Sequence, residues 1–71
     1  MKCEFVVGDI IVPIGSFRKH VVIAVGNTGI LVDELNKGQQ IQIPLLLSPA
    51  NYPYYVRVGK WHPYLGELKD E

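Results

Sequence analysis

The chain of 71 residues has a single cysteine, Cys3, so no intrachain disulfide can staple it, and a reducing, cytoplasmic setting is expected. It has no net charge: seven Lys/Arg offset seven Asp/Glu, and no global field draws it onto nucleic acid or an anionic membrane. No apolar run approaches the roughly 20 residues needed to cross a bilayer, and Asp9 interrupts the only apolar stretch near the N-terminus. There is no Gly-x-Gly-x-x-Gly and no P-loop, and Gly26-Asn27-Thr28-Gly29 reads as a hairpin turn rather than a phosphate cradle. Cys3, His20, His62 and Asp9 lack ligand-like spacing, which argues against a metal centre. No nucleophile has an identifiable base, and a barrel this small has no interior room for a pocket in which Asp9 and Asp33 could do acid–base work. The expectation is a protein without catalysis and without cofactors.

What the sequence does have is β-branched and aromatic strand material, punctuated by Gly, Asn and Pro. Apolar residues make up 48% of it, which argues against disorder. Residues 4–14 (EFVVGDIIVPI) predict a first strand, entered through Gly8-Asp9 as a bulge or tight turn. Pro13 cannot donate to a ladder, so this strand either lies at an edge or ends near Pro13. A free edge over residues 4–12 would accept a partner strand by β-addition, or would be blunted by its charges and Pro13 against aggregation. His20–Val25 has the length of a strand buried on both faces. With the Gly26–Gly29 turn and Ile30–Val32 it predicts a hairpin over residues 20–34, returning to solvent at Asp33-Glu34. Residues 39–43 alternate polar and apolar as a strand with one wet face. Leu45-Leu46-Leu47 reads as a helical turn near 45–50 or a core-plugging loop. Tyr52–Val58 returns to strand character and is closed by Gly59. Residues 1–66 are expected to be one β domain, and residues 67–71 a flexible acidic tail of local net charge −2 that leaves a body of +2.

Five short strands at turn spacings of about 8 to 12 residues predict an all-β fold, either a small five-stranded barrel or a strongly bent antiparallel sheet. The entry Phe5-Val6-Val7-Gly8-Asp9-Ile10-Ile11, followed by Val22–Val25 and Gly29–Val32, resembles the opening and central hairpin of small SH3-like barrels, KOW-type modules among them. The resemblance covers roughly residues 5–60. It implies an adaptor that binds protein or RNA. The chain departs from the KOW pattern in lacking a basic, Gly-rich loop, which weakens an RNA reading. In size and style it also looks like a phage-encoded regulator of a host machine, which implies host RNA polymerase as the partner.

Two clusters could make the contact. Phe17-Arg18-Lys19-His20 sets an aromatic ring beside permanent cations, able to grip an acidic patch, a base or a phosphate, or simply to serve as a solvated loop. Tyr52, Tyr54, Tyr55, Arg57, Lys60, Trp61, His62 and Tyr64 form the second cluster. On a strand, Tyr52, Tyr54 and Val56 share one face while Tyr55 and Arg57 share the other, so one set fills the core and the other is displayed. Tyr, Trp and Arg are the side chains enriched at interface hot spots, and seven aromatics exceed what so small a core can bury. The candidate protein-binding residues are therefore Phe17, Arg18, Lys19, Tyr54, Tyr55, Arg57 and Trp61. The leading expectation is a small regulatory module that binds a protein of the transcription machinery. A nucleic-acid-binding module and a structural subunit of a larger assembly are the alternatives, and the oligomeric state is open.

Overall fold

A computed structural model describes residues 5–69. Among these residues, the strands β1 (Asp9–Pro13), β2 (His20–Val25), β3 (Ile30–Asn36), β4 (Gln39–Gln40), β5 (Leu45–Leu47), β6 (Tyr55–His62) and β7 (Gly66–Lys69) are joined by turns and by one 3₁₀ helix, Pro49–Tyr54. All pairings are antiparallel. The sheet runs β4-β3-β2-β1-β6-β7 with β5 also on β3, and it curls into a nearly closed barrel shape. The all-β, strongly bent character expected from the sequence is what the chain adopts, built from seven short strands rather than about five.

The β2–β3 hairpin forms as its turn chemistry requires, with Val25 opposite Ile30 and the Gly26 amide donating to the Gly29 carbonyl at 2.9 Å. β1 is not an edge. It lies between β2 and β6, with Ile10 opposite Val21 on one side and Gly59 on the other. Pro13 is accommodated because it is the last residue of the strand, where one missing N–H costs little of the ladder. A register shift between Ile10 and Ile11 lets both consecutive isoleucines be fully buried, which strict alternation would forbid. Ile11 joins Phe5, Val22, Ile30, Val32 and Leu47 in the core, with Tyr52 and Tyr55 packed against it.

Several expectations shift. Leu45–Leu47 is strand: three branched-chain leucines lie along β3, Leu46 opposite Leu31, and the helical turn begins only at Pro49, whose fixed φ suits a first helical position. Tyr52 and Tyr54 therefore sit on the 3₁₀ helix and not on the strand face assigned to them. β6 runs through Gly59 to His62, because β7 supplies a further ladder there, Trp61 opposite Glu67. Glu67–Lys69, expected in a polar tail, belong to that ladder, whereas Asp70 and Glu71 lie outside the described residues, as do Cys3 and Glu4.

Asp33 does not return to solvent. It is buried, and its carboxylate accepts the amides of Gln42 (3.1 Å) and Ile43 (3.2 Å). β4 and β5 lie end to end along the same edge of β3, and Asp33 sits where the ladder breaks between them. In the alternating stretch 39–43, Gln39 and Gln40 pair and the Ile41 amide still donates to the Glu34 carbonyl (3.1 Å). From there the side chain of Asp33 takes over the bonding that a strand would supply to Gln42 and Ile43. A buried, two-amide acceptor is costly to remove. Asp33→Ala is expected to lower stability by about 2 kcal/mol, measured by urea unfolding, and to increase amide exchange at Gln42 and Ile43 first.

Candidate functional site

The Gly8-Asp9 step organises the middle of the sheet. Residues Val6–Asp9 form a tight turn closed by Asp9 N–H to the Val6 carbonyl at 3.0 Å, and Gly8 takes φ 96°, a conformation that a side chain would strain. The Gly8 amide donates to the Val22 carbonyl (2.8 Å) and its carbonyl accepts from the Trp61 amide (2.7 Å), so the turn is laced to β2 and β6. It delivers Asp9, only 1% exposed, to a point opposite Lys60. One carboxylate oxygen accepts from Lys60 Nζ (2.8 Å) and Arg57 Nε (3.0 Å), and the other from the Val6 amide (3.0 Å). Burial pushes the Asp9 carboxyl up, but the bonds from Lys60, Val6 and Arg57 outweigh it and hold the carboxyl below its ordinary value of 3.8.

This arrangement reassigns the basic residues. Arg57 and Lys60 serve Asp9, and Lys19 Nζ lies 2.6 Å from Glu67 Oε2, tying the β1–β2 loop to the last strand. Tyr55 is half-buried with its ring edge-on to His20 (centroids 6.2 Å apart), and Tyr52 packs edge-on to Phe5 at 5.6 Å. His20 is buried, and its Nδ1 finds no hydrogen-bond partner among the described residues. Because an unsatisfied buried nitrogen is a cost, His20→Leu is expected to leave thermal stability within about 1 kcal/mol of wild type or raise it. A loss of more than about 2 kcal/mol in a melt would show that the ring makes a bond its neighbours do not reveal.

The displayed aromatics fall into two places. At the Pro13 end of the β1–β6 pair, the Ile14 amide donates to the Tyr54 carbonyl at 2.8 Å, which brings the start of the 14–19 loop beside the end of the 3₁₀ helix. Phe17 on that loop is 98% exposed, Ile14 and Tyr54 are also exposed, and Arg18 is exposed beside Phe17, its amide held by Ser16 Oγ (3.1 Å). At the other end of β6, about 20 Å further along the strand, Trp61, Pro63 and Tyr64 face Gln39, Gln40 and Gln42 across an open cleft of about 660 Å³. Of the seven candidates, Phe17, Arg18 and Tyr54 are gathered at one end. Trp61 is at the other, Tyr55 lines the core, and Lys19 and Arg57 are ion-paired. Ile14, which sequence reasoning passed over, joins the first group; its position after Pro13, beyond the last strand pairing, is the signal that it leaves the core.

No group of His, Cys, Asp and Glu among the described residues is placed to hold a metal ion, and no helix among them is long and apolar enough to cross a membrane. No known family model, curated protein or solved structure matches the chain.

Proposed function

We propose that the protein is a non-enzymatic binding module that docks on a protein partner through Ile14, Phe17, Arg18 and Tyr54, and regulates that partner. The observation that carries this reading is Phe17, an aromatic side chain 98% exposed on a loop whose backbone is anchored at both ends. Large rings held out by a fixed backbone make contact area at low entropic cost, and aromatic residues with Arg are what interface hot spots are made of. The distribution of charge supports a protein over a nucleic acid: Lys19, Arg57 and Lys60 each have a carboxylate beside them, which lowers their value as phosphate contacts. The finer reading follows the likeness to small phage-type accessory barrels: a cytoplasmic regulator whose partner is bacterial RNA polymerase.

The test is titration of purified bacterial RNA polymerase with the labelled protein. The expected result is a saturable one-to-one complex in which Phe17→Ala weakens affinity by about 30-fold, the scale of a 2 kcal/mol hot spot, while Trp61→Phe leaves it within about threefold. Absence of binding removes polymerase as the partner. Binding that is indifferent to Phe17 removes the docking surface.

A further inference from the structure

From Gly38 to Val56 the chain has no charged residue and no histidine, whereas every Lys, Arg, Asp and Glu lies before or after that run. The run supplies β4, β5, the 3₁₀ helix and the start of β6. β5 within it is an edge: it pairs with β3 alone, and no strand among the described residues takes its outer side. Natural sheets protect such edges with charge, bulges or proline. Here Pro44 and Pro49 flank the strand, but Leu45, Leu46 and Leu47 have every backbone N–H and no charge. Leu45 and Leu46 are exposed, as is Ile43 just before them.

The apolar character continues from the edge across the sheet. Leu31 pairs with Leu46 on one side and Ala24 on the other, so Ala24, Leu31 and Leu46 form one row, with exposed Ile23 and Val25 on either side of Ala24 in β2. A shallow hollow of about 220 Å³ lies along this row and is walled by Ala24, Val25, Leu31 and Leu46.

We propose that the β5 edge is a dimerisation surface and that its occupant is β5 of a second copy, added antiparallel about a two-fold axis. Unpaired backbone groups on an edge call for a strand, since only an extended chain presents matching donors and acceptors at the strand spacing. The flanking leucines call for a strand that is apolar and uncharged. β5 meets both requirements itself, and antiparallel pairing of identical strands is the isologous, self-complementary contact that closes at two subunits. With the axis at Leu46, the Ala24–Leu31–Leu46 row meets its own copy, and the sheet runs continuously from one protomer to the other. No ion pair is needed and none is opposed, because neither edge carries charge. Three paired residues a side make a short ladder, so the dimer is expected to dissociate in the roughly micromolar range. The surface is separate from the Phe17 corner, and its success or failure leaves the proposed partner contact standing on its own test.

Sedimentation velocity on the full chain, from about 1 μM to about 300 μM, tests the proposal. The expected result is a monomer–dimer equilibrium within that range. Leu46→Lys should weaken it at least tenfold by placing like charges face to face at the axis, while its circular dichroism and melting temperature show that the fold is kept. Phe17→Ala should leave the equilibrium unchanged. A monomer at every concentration overturns the proposal and leaves the edge to a strand of another protein. So does a dimer that Leu46→Lys leaves intact, or one that Phe17→Ala abolishes.

Discussion

Replacing Arg57 and Lys60 together with methionine is expected to cost about 3–5 kcal/mol, more than replacing the carboxylate that they share. The asymmetry follows from exposure. The side chains of Arg57 and Lys60 keep roughly two-fifths of their surface in water, so either can hydrate if Asp9 is lost, whereas the Asp9 side chain is 2% exposed and cannot. Methionine retains most of the apolar stem, which isolates the charge effect from packing. Asp9→Asn, which keeps an acceptor for the Val6 amide, should cost about 2 kcal/mol. A domain of this length has total stability on the order of 4–10 kcal/mol, so the double variant is expected near the edge of folding.

The pH dependence gives a second, independent sign. In the wild type the Asp9 carboxyl is held below its ordinary value, so its stabilising contribution is present above about pH 4 and is lost as pH falls through the lowered folded value. Without the two cations, burial dominates and raises the carboxyl instead. The contribution of Asp9 in the double variant should then become more favourable as pH falls toward about 4. Urea unfolding at several pH values reads both slopes. Parallel slopes for the two proteins would show that Asp9 is not held by Arg57 and Lys60.

Gly29→Ala is expected to lower stability by about 3 kcal/mol and to detach β5. Gly29 has φ 154°, and a Cβ there would stand 2.3 Å from the Leu47 carbonyl oxygen, an atom of the backbone with no rotamer to yield. β5 must move off β3 to admit even one methyl. Leu46→Ala, one residue away but exposed, should change stability by less than about 1 kcal/mol. Hydrogen exchange would place the damage: Gly29→Ala should deprotect Leu45–Leu47 and leave Ile10, Ile11 and the β1–β6 ladder slow. The same variant should lose the dimer, since the edge that pairs is no longer in place.

How much of this could be read from the chain depends on how local the cause is. The hairpin over residues 20–34 was legible because Gly-Asn-Thr-Gly between apolar runs specifies its own turn, and the β class was legible from β-branched content. The position of β1 was not. Pro13 read alone leaves an edge or a strand end open; the strand does end there, and only the arrival of β6, more than forty residues later, places β1 in the middle. Distance in sequence also hid the Asp9 cluster: Arg57 and Lys60 are 48 and 51 residues away, so nothing near Arg57 in the chain showed that its exposed side chain also bonds a buried carboxylate. Asp33 looked like a polar end to a strand because its acceptors' partners, Gln42 and Ile43, are backbone amides that carry no side-chain signal. Leu45-Leu46-Leu47 has neither helical nor strand periodicity, and tertiary pairing with β3 decided it. Phe17 was legible as a candidate because it stands beside Arg18 and Lys19 in the connection between two strand-like runs.

The central claim is that the Ile14–Phe17–Tyr54 end, and not a general basic surface, engages a protein partner. It is tested most directly by affinity capture from bacterial lysate, run in parallel with the wild-type chain and with Phe17→Ala/Tyr54→Ala, at about 50 mM and about 500 mM salt. The expected result is one stoichiometric protein retained by the wild type at both salt concentrations and absent with the double variant. Retention of that protein by the double variant, or recovery of nucleic acid alone that disappears at high salt, would contradict it.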